Sequence, residues 1–131
     1  MIGVDTNVLI RLFIVDEPQS RISAAFFAAR SSADPAFLSA LVVAEFGWVL
    51  RKKYGFPPER IAAAIQGMLD SDDFAFEQRG VVEWALSEYE KTKADLSDLL
   101  IARLASLAGV TTTVTFDAKA AKRVPGMELL K

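Results

Sequence analysis

The chain contains no histidine and no cysteine, and these two absences remove much of the usual catalytic apparatus. Without imidazole there is no Ser-His-Asp triad, no histidine general base and no histidine metal site. Without thiols there is no cysteine nucleophile, thiolate zinc site or disulfide, a composition in keeping with the cytoplasm. No apolar run is long enough to span a bilayer and no basic-then-apolar leader opens the sequence. A soluble protein with no membrane partner is therefore expected. Neither sign of charge is in excess: 15 Lys and Arg against 17 Asp and Glu leave a formal charge of −2. Any nucleic acid would have to be gripped by a local basic patch. Chemistry is left to carboxylates, Lys and Arg, hydroxyls, or a metal held by oxygen ligands, for which Mg²⁺ or Mn²⁺ is the natural choice.

What the chain does have is apolar surface, at 52% hydrophobic residues. Its 131 residues fit a single domain, 1–131, large enough to bury a proper core. The apolar excess points to a partner or oligomer interface. The pattern alternates strand-like and helix-like segments. Met1 to Val4 is a short apolar run that meets the helix-capping types Asp5, Thr6 and Asn7. A helix from Pro18 to Ala29 is followed by a strand over 36–39 and a helix through Glu45 that ends at Gly55-Phe56-Pro57-Pro58. Further helices are expected over 59–69, 81–91, 95–108 and 117–122, with strands over 74–76, 110–116 and 127–130. The helix over 95–108 is apolar almost all round apart from Arg103, as a buried helix would be. This alternation predicts an α/β sandwich with a mainly parallel sheet, whose strand-to-helix turns lie at the edge where ligands usually bind.

Four acidic residues stand out. Glu45 has Leu41, Val42, Trp48 and Val49 at helical spacing, which predicts that its carboxylate leaves an apolar face. An ionised group there is costly unless a positive charge meets it, and a buried pair with Arg11 or Arg103 would be a poor stabiliser. Asp5 and Asp117 fall at strand-to-helix turns, where simple helix capping explains each about as well as chemistry does. Asp95 and Asp98 read as a variant capping box, a role that suits Asp95 and leaves Asp98 free to face a cleft as well. Four converging carboxylates would repel by roughly 4 kcal/mol per close pair at an effective dielectric near 20, and a divalent cation turns that repulsion into coordination. Ser39 and Thr115 end strands and are candidates for orienting such a cluster. Arg51, Lys52 and Lys53, with Lys119, Lys122 and Arg123, offer a phosphate patch, although a basic helix end more often serves the helix dipole.

Val4-Asp5-Thr6-Asn7-Val8-Leu9, Val43-Ala44-Glu45, Ala94-Asp95-Leu96-Ser97-Asp98-Leu99-Leu100-Ile101-Ala102 and Thr115-Phe116-Asp117 occur in that order along nearly the whole chain. This succession resembles the PIN-domain nucleases, and most of all the VapC toxins of bacterial and archaeal toxin–antitoxin pairs. The resemblance implies a three-layer α/β/α sandwich with a central parallel sheet. It also implies Mg²⁺- or Mn²⁺-dependent endoribonuclease activity on structured RNA, a homodimer, and inhibition by a small antitoxin encoded alongside. Carried over by position, Asp5, Glu45 and Asp98 match the core acidic triad and Asp117 the fourth acid. Asp95 matches a recurrent acidic position, and Thr115 the polar residue just ahead of the fourth acid. Asn7 belongs to the first motif as a supporting residue. Where some members carry a further acid, this chain has Lys119, which weakens the case for a second metal ion. Two other readings compete. A phosphatase using Asp5 as nucleophile would want an aspartate where Asn7 stands, and a non-catalytic partner-binding module would use the acids for a structural ion or a partner's arginine.

Overall fold

The computed structural model describes residues 1–131 as an α/β fold of seven helices and five short strands. In chain order these are β1 (Ile2–Gly3), α1 (Thr6–Ile10), α2 (Gln19–Ala28), β2 (Ala36–Leu38), α3 (Ala40–Lys52), α4 (Pro58–Leu69), β3 (Phe74–Phe76), α5 (Arg79–Thr92), α6 (Leu96–Leu107), β4 (Thr113–Thr115), α7 (Ala118–Arg123) and β5 (Met127–Leu129). Every strand pair is parallel, as the alternating pattern predicted. No helix is long and apolar enough to cross a membrane.

The strands form two hydrogen-bonded sheets. One has the order β1-β2-β3, with Ile2 opposite Ala36 and Phe37 opposite Ala75; the other is β4 beside β5 alone. The sequence had suggested a longer fourth strand, over 110–116. Its first residues are taken by the end of α6 instead. Gly109 adopts φ +92°, a left-handed conformation that glycine enters freely, and Val110 N–H then returns to the Ala105 carbonyl. Phe116, expected within the strand, is 81% exposed.

The core is continuous. Leu9 and Ile10 of α1, Ala36 and Leu38 of β2, Phe46 and Leu50 of α3, Ile61 and Ile65 of α4, Val82 of α5 and Leu99 of α6 belong to one buried cluster. Phe46 meets the edge of Phe13 at 5.3 Å between ring centres, a favoured aromatic geometry. Helix α6 packs against both α5 and α3. Gly47 permits the second contact: a Cβ there would lie 3.1 Å from Leu96 Cδ2, tighter than ordinary packing tolerates.

Helix α6 departs from expectation in one respect. Leu96, Leu99, Leu100 and Ala102 are buried, but Ile101 and Leu107 are more than half exposed. An apolar stripe remains on the surface because α3 and α5 cover only part of the helix.

Candidate active site

Five of the seven residues singled out from the sequence sit at or beside the first turn of a helix, and their backbone geometry shows why. Asp5 is the N-cap of α1, with extended backbone, and its Oδ1 accepts from Thr6 N–H at 2.7 Å. Asn7 is exposed in the same turn. Between them, the Thr6 hydroxyl is buried without a hydrogen-bond partner. Asp117 is the N-cap of α7; its Oδ1 accepts from Ala120 N–H at 3.0 Å. Thr115 holds the turn from behind, its Oγ1 accepting from Asp117 N–H at 3.0 Å. Both aspartates therefore fill the capping role that Asp serves well.

Asp95 and Asp98 are arranged differently. Asp95 has N-cap backbone geometry ahead of α6 but makes no capping hydrogen bond, so the capping box suggested by the sequence does not form. Its carboxylate lies 3.9 Å from Arg51 Nε, a half-exposed ion pair. Asp98, in the first turn of α6, makes neither a hydrogen bond nor an ion pair. Burial pushes its carboxyl above the ordinary carboxylate range, and the charges of Asp95 and Asp117 push in the same direction. Asp98 is thus a partly buried acid facing two other acids, an arrangement that structural capping does not call for.

These three aspartates share a cleft of about 300 Å³ with Arg51, Lys52, Lys93, Lys119 and Arg123. Asp5 and Glu45 do not line it. Glu45 also corrects the expectation of a costly burial. It is exposed, with Leu41 and Trp48 exposed beside it at 74% and 54%. The apolar face from which it projects is itself at the surface. Neither expected arginine meets it: Arg11 pairs with Asp16 at 3.4 Å, and Arg103 lies over the Trp84 ring at 5.1 Å. Glu45 instead lines an apolar groove of about 380 Å³ between α3 and α6, with Leu41, Trp48, Ser97, Ile101 and Leu104 among its walls. Ser39 caps α3, accepting from Val42 N–H at 3.2 Å.

The acids do not form a ready ligand set for a cation. The all-oxygen chemistry suits Mg²⁺ or Mn²⁺, and Asp98 would gain from a neighbouring positive charge. Yet no three carboxylates are placed to hold one ion together. As positioned, the cleft can offer a carboxyl with a raised pKa and a ring of cations. Lys93 escaped the sequence reading, because a single lysine between Thr92 and Ala94 carries no periodic or motif signal. What distinguishes it is its backbone: φ +59°, the left-handed region that non-glycine residues rarely occupy.

A search of curated proteins found no match. A family model described as PIN domain matches residues 2–126, which takes in all of these acids and every strand except β5. PIN domains are typically metal-dependent nucleases, and the chain belongs to the PIN domain family.

Proposed function

We propose that this PIN domain is an endoribonuclease that hydrolyses structured RNA with the help of Mg²⁺ or Mn²⁺, and that it serves as the toxin of a toxin–antitoxin pair in the cytoplasm. The observation that carries the reading is Asp98. It is an unpaired, half-buried acid with a raised pKa, set opposite Asp95 and Asp117 in a cleft ringed by cations. Such a group at a cleft is suited to proton or charge handling in a reaction rather than to stability. The cations give a phosphodiester reason to enter despite the acidic chain. Asp5, Glu45, Asp98 and Asp117 are the proposed acidic set, supported by Asp95, Thr115 and Asn7. Asp5 and Glu45 would have to draw toward the cleft for all four to act on one phosphate.

The apolar groove beside Glu45 supports the partner half of the reading. Leu41, Trp48 and Ile101 form an exposed apolar strip suited to a second subunit or to the antitoxin. The same groove also favours a second reading, a partner-binding module without turnover.

The deciding experiment is cleavage of total cellular RNA by purified protein in Mn²⁺, Mg²⁺ or EDTA, beside Asp98→Asn. Discrete fragments that require both metal and Asp98 are expected. Absence of cleavage by folded, partner-free protein that binds Mn²⁺ would favour the binding module.

A further inference from the structure

Three separated parts of the chain bring cations to the acidic cleft. Arg51 and Lys52 come from the last turn of α3, Lys93 from the turn between α5 and α6, and Lys119 and Arg123 from α7. Five cations against three carboxylates make this cleft locally positive in a chain whose formal charge is −2. Arg51 has only the long pairing with Asp95, and the other four form no ion pair within 4.0 Å. Like charges left uncompensated around a concave surface focus a positive potential into it. No aromatic side chain lines the cleft, so it offers no platform for stacking bases.

Lys93 supplies an independent observation. It is the residue after α5, held at φ +59° and ψ +21°. Glycine takes that conformation without steric cost, whereas a lysine there is strained. Its carbonyl accepts a bond from Arg123 Nη1 at 3.4 Å, which ties the turn to α7 and sets two of the five cations side by side. A left-handed residue is a common helix ending, and here it falls on a lysine that lines the cleft.

We propose that Arg51, Lys52, Lys93, Lys119 and Arg123 form a rim that grips the phosphates of a single-stranded RNA segment flanking the scissile bond. The proposal rests on the ribonuclease reading and adds to it how the strand is held. The grip is electrostatic and indifferent to base identity, so sequence preference must arise elsewhere. Affinity then falls steeply with salt. For a single strand each neutralised phosphate contributes about 0.7 to the slope of log K against log salt, so five contacts set an upper bound near 3.5.

The test measures fluorescence anisotropy of a labelled single-stranded RNA twelve nucleotides long, in EDTA to prevent hydrolysis, over a range of KCl. Wild type is compared with Lys93→Gly and with the double variant Lys119→Ala/Arg123→Ala. Cleavage of total cellular RNA in Mn²⁺ is followed in parallel. Loss of two phosphate contacts should lower the slope by about 1.4 in the double variant and cut affinity at least tenfold at low salt. Lys93→Gly should melt higher than wild type yet bind RNA more weakly, a combination that a merely structural lysine would not give. Wild-type affinity and slope in both variants would overturn the rim, and the ribonuclease reading would stand if wild type still cleaved. Folded wild type that does not bind the RNA would overturn the rim, and failure to cleave total cellular RNA as well would overturn the ribonuclease reading.

Discussion

Helices α3 and α6 build two concave surfaces of opposite character. At one, the end of α3 and the start of α6 contribute Arg51, Lys52, Asp95 and Asp98 to a charged cleft. At the other, Leu41, Glu45 and Trp48 of α3 meet Ser97, Ile101 and Leu104 of α6 in an apolar groove. Each holds a carboxylate that drew attention in the sequence, and the two are in different physical states. Asp98 is raised by burial and by two like charges. Glu45 stands at the surface among apolar neighbours, with no charge partner. An acid in an apolar sequence context is therefore not necessarily a buried acid. What fixes its chemistry is which other elements cover the face it leaves.

The sharpest way to break this contrast is activity. Asp98→Asn and Glu45→Gln should each lower RNA cleavage by at least about 10²-fold, the scale expected when a charged or proton-handling group is removed from a reacting centre. If Glu45→Gln cleaves normally while Asp98→Asn does not, Glu45 belongs to the groove alone and leaves the proposed acidic set. The next effect concerns the core beneath both surfaces. Phe46 is fully buried against Phe13, and Phe46→Ala should cost about 3–5 kcal/mol in denaturant unfolding.

A third prediction follows from the direction of the Asp98 shift. An acid whose folded pKa is raised favours the protonated native state, so its ionisation lowers stability as pH rises from the unfolded value, about 3.9, through the folded value. Asp98→Asn should consequently melt higher than wild type at pH 7, and the gain should vanish below about pH 3.9. A lower melting temperature at pH 7 would show that the carboxylate is structurally required. The smallest effect belongs to the groove. Leu41→Lys and Ile101→Lys replace exposed side chains and should change stability by no more than about 0.5 kcal/mol. Sedimentation should nevertheless show weaker self-association or loss of partner binding. Unaltered association in both variants would remove the groove from consideration as an interface.

Much of this molecule could be read along the chain. The alternation of short apolar runs with helical spacing indicated an α/β fold with parallel strands, and the elements appear in the expected order. Capping chemistry placed the start of α1 within Asp5-Thr6-Asn7, where the structure makes Asp5 the cap, and that of α7 at Asp117, since a side-chain oxygen beside a free backbone N–H is a local matter. The motifs that carry the family resemblance were local too, and the PIN domain model matches residues 2–126. Strand length was harder to judge. Gly109 and the hydrogen bond from Val110 to Ala105 draw the first residues of the expected fourth strand into the helix end. Hydrophobicity alone does not distinguish a residue in a turn from one in a strand.

The sequence by itself determined what chemistry is available: acids, cations and hydroxyls, with neither imidazole nor thiol, on an α/β frame. Tertiary structure alone decided which of them meet. It exposed Glu45 and the stripe on α6, because periodicity records that a face is apolar and not whether another element covers it. It also brought Lys93 beside Arg123, thirty residues further along the chain, through a turn whose left-handed geometry has no signature at a lysine. Charge acts through space, so a basic cleft in an acidic chain exists only once separated segments are folded against one another.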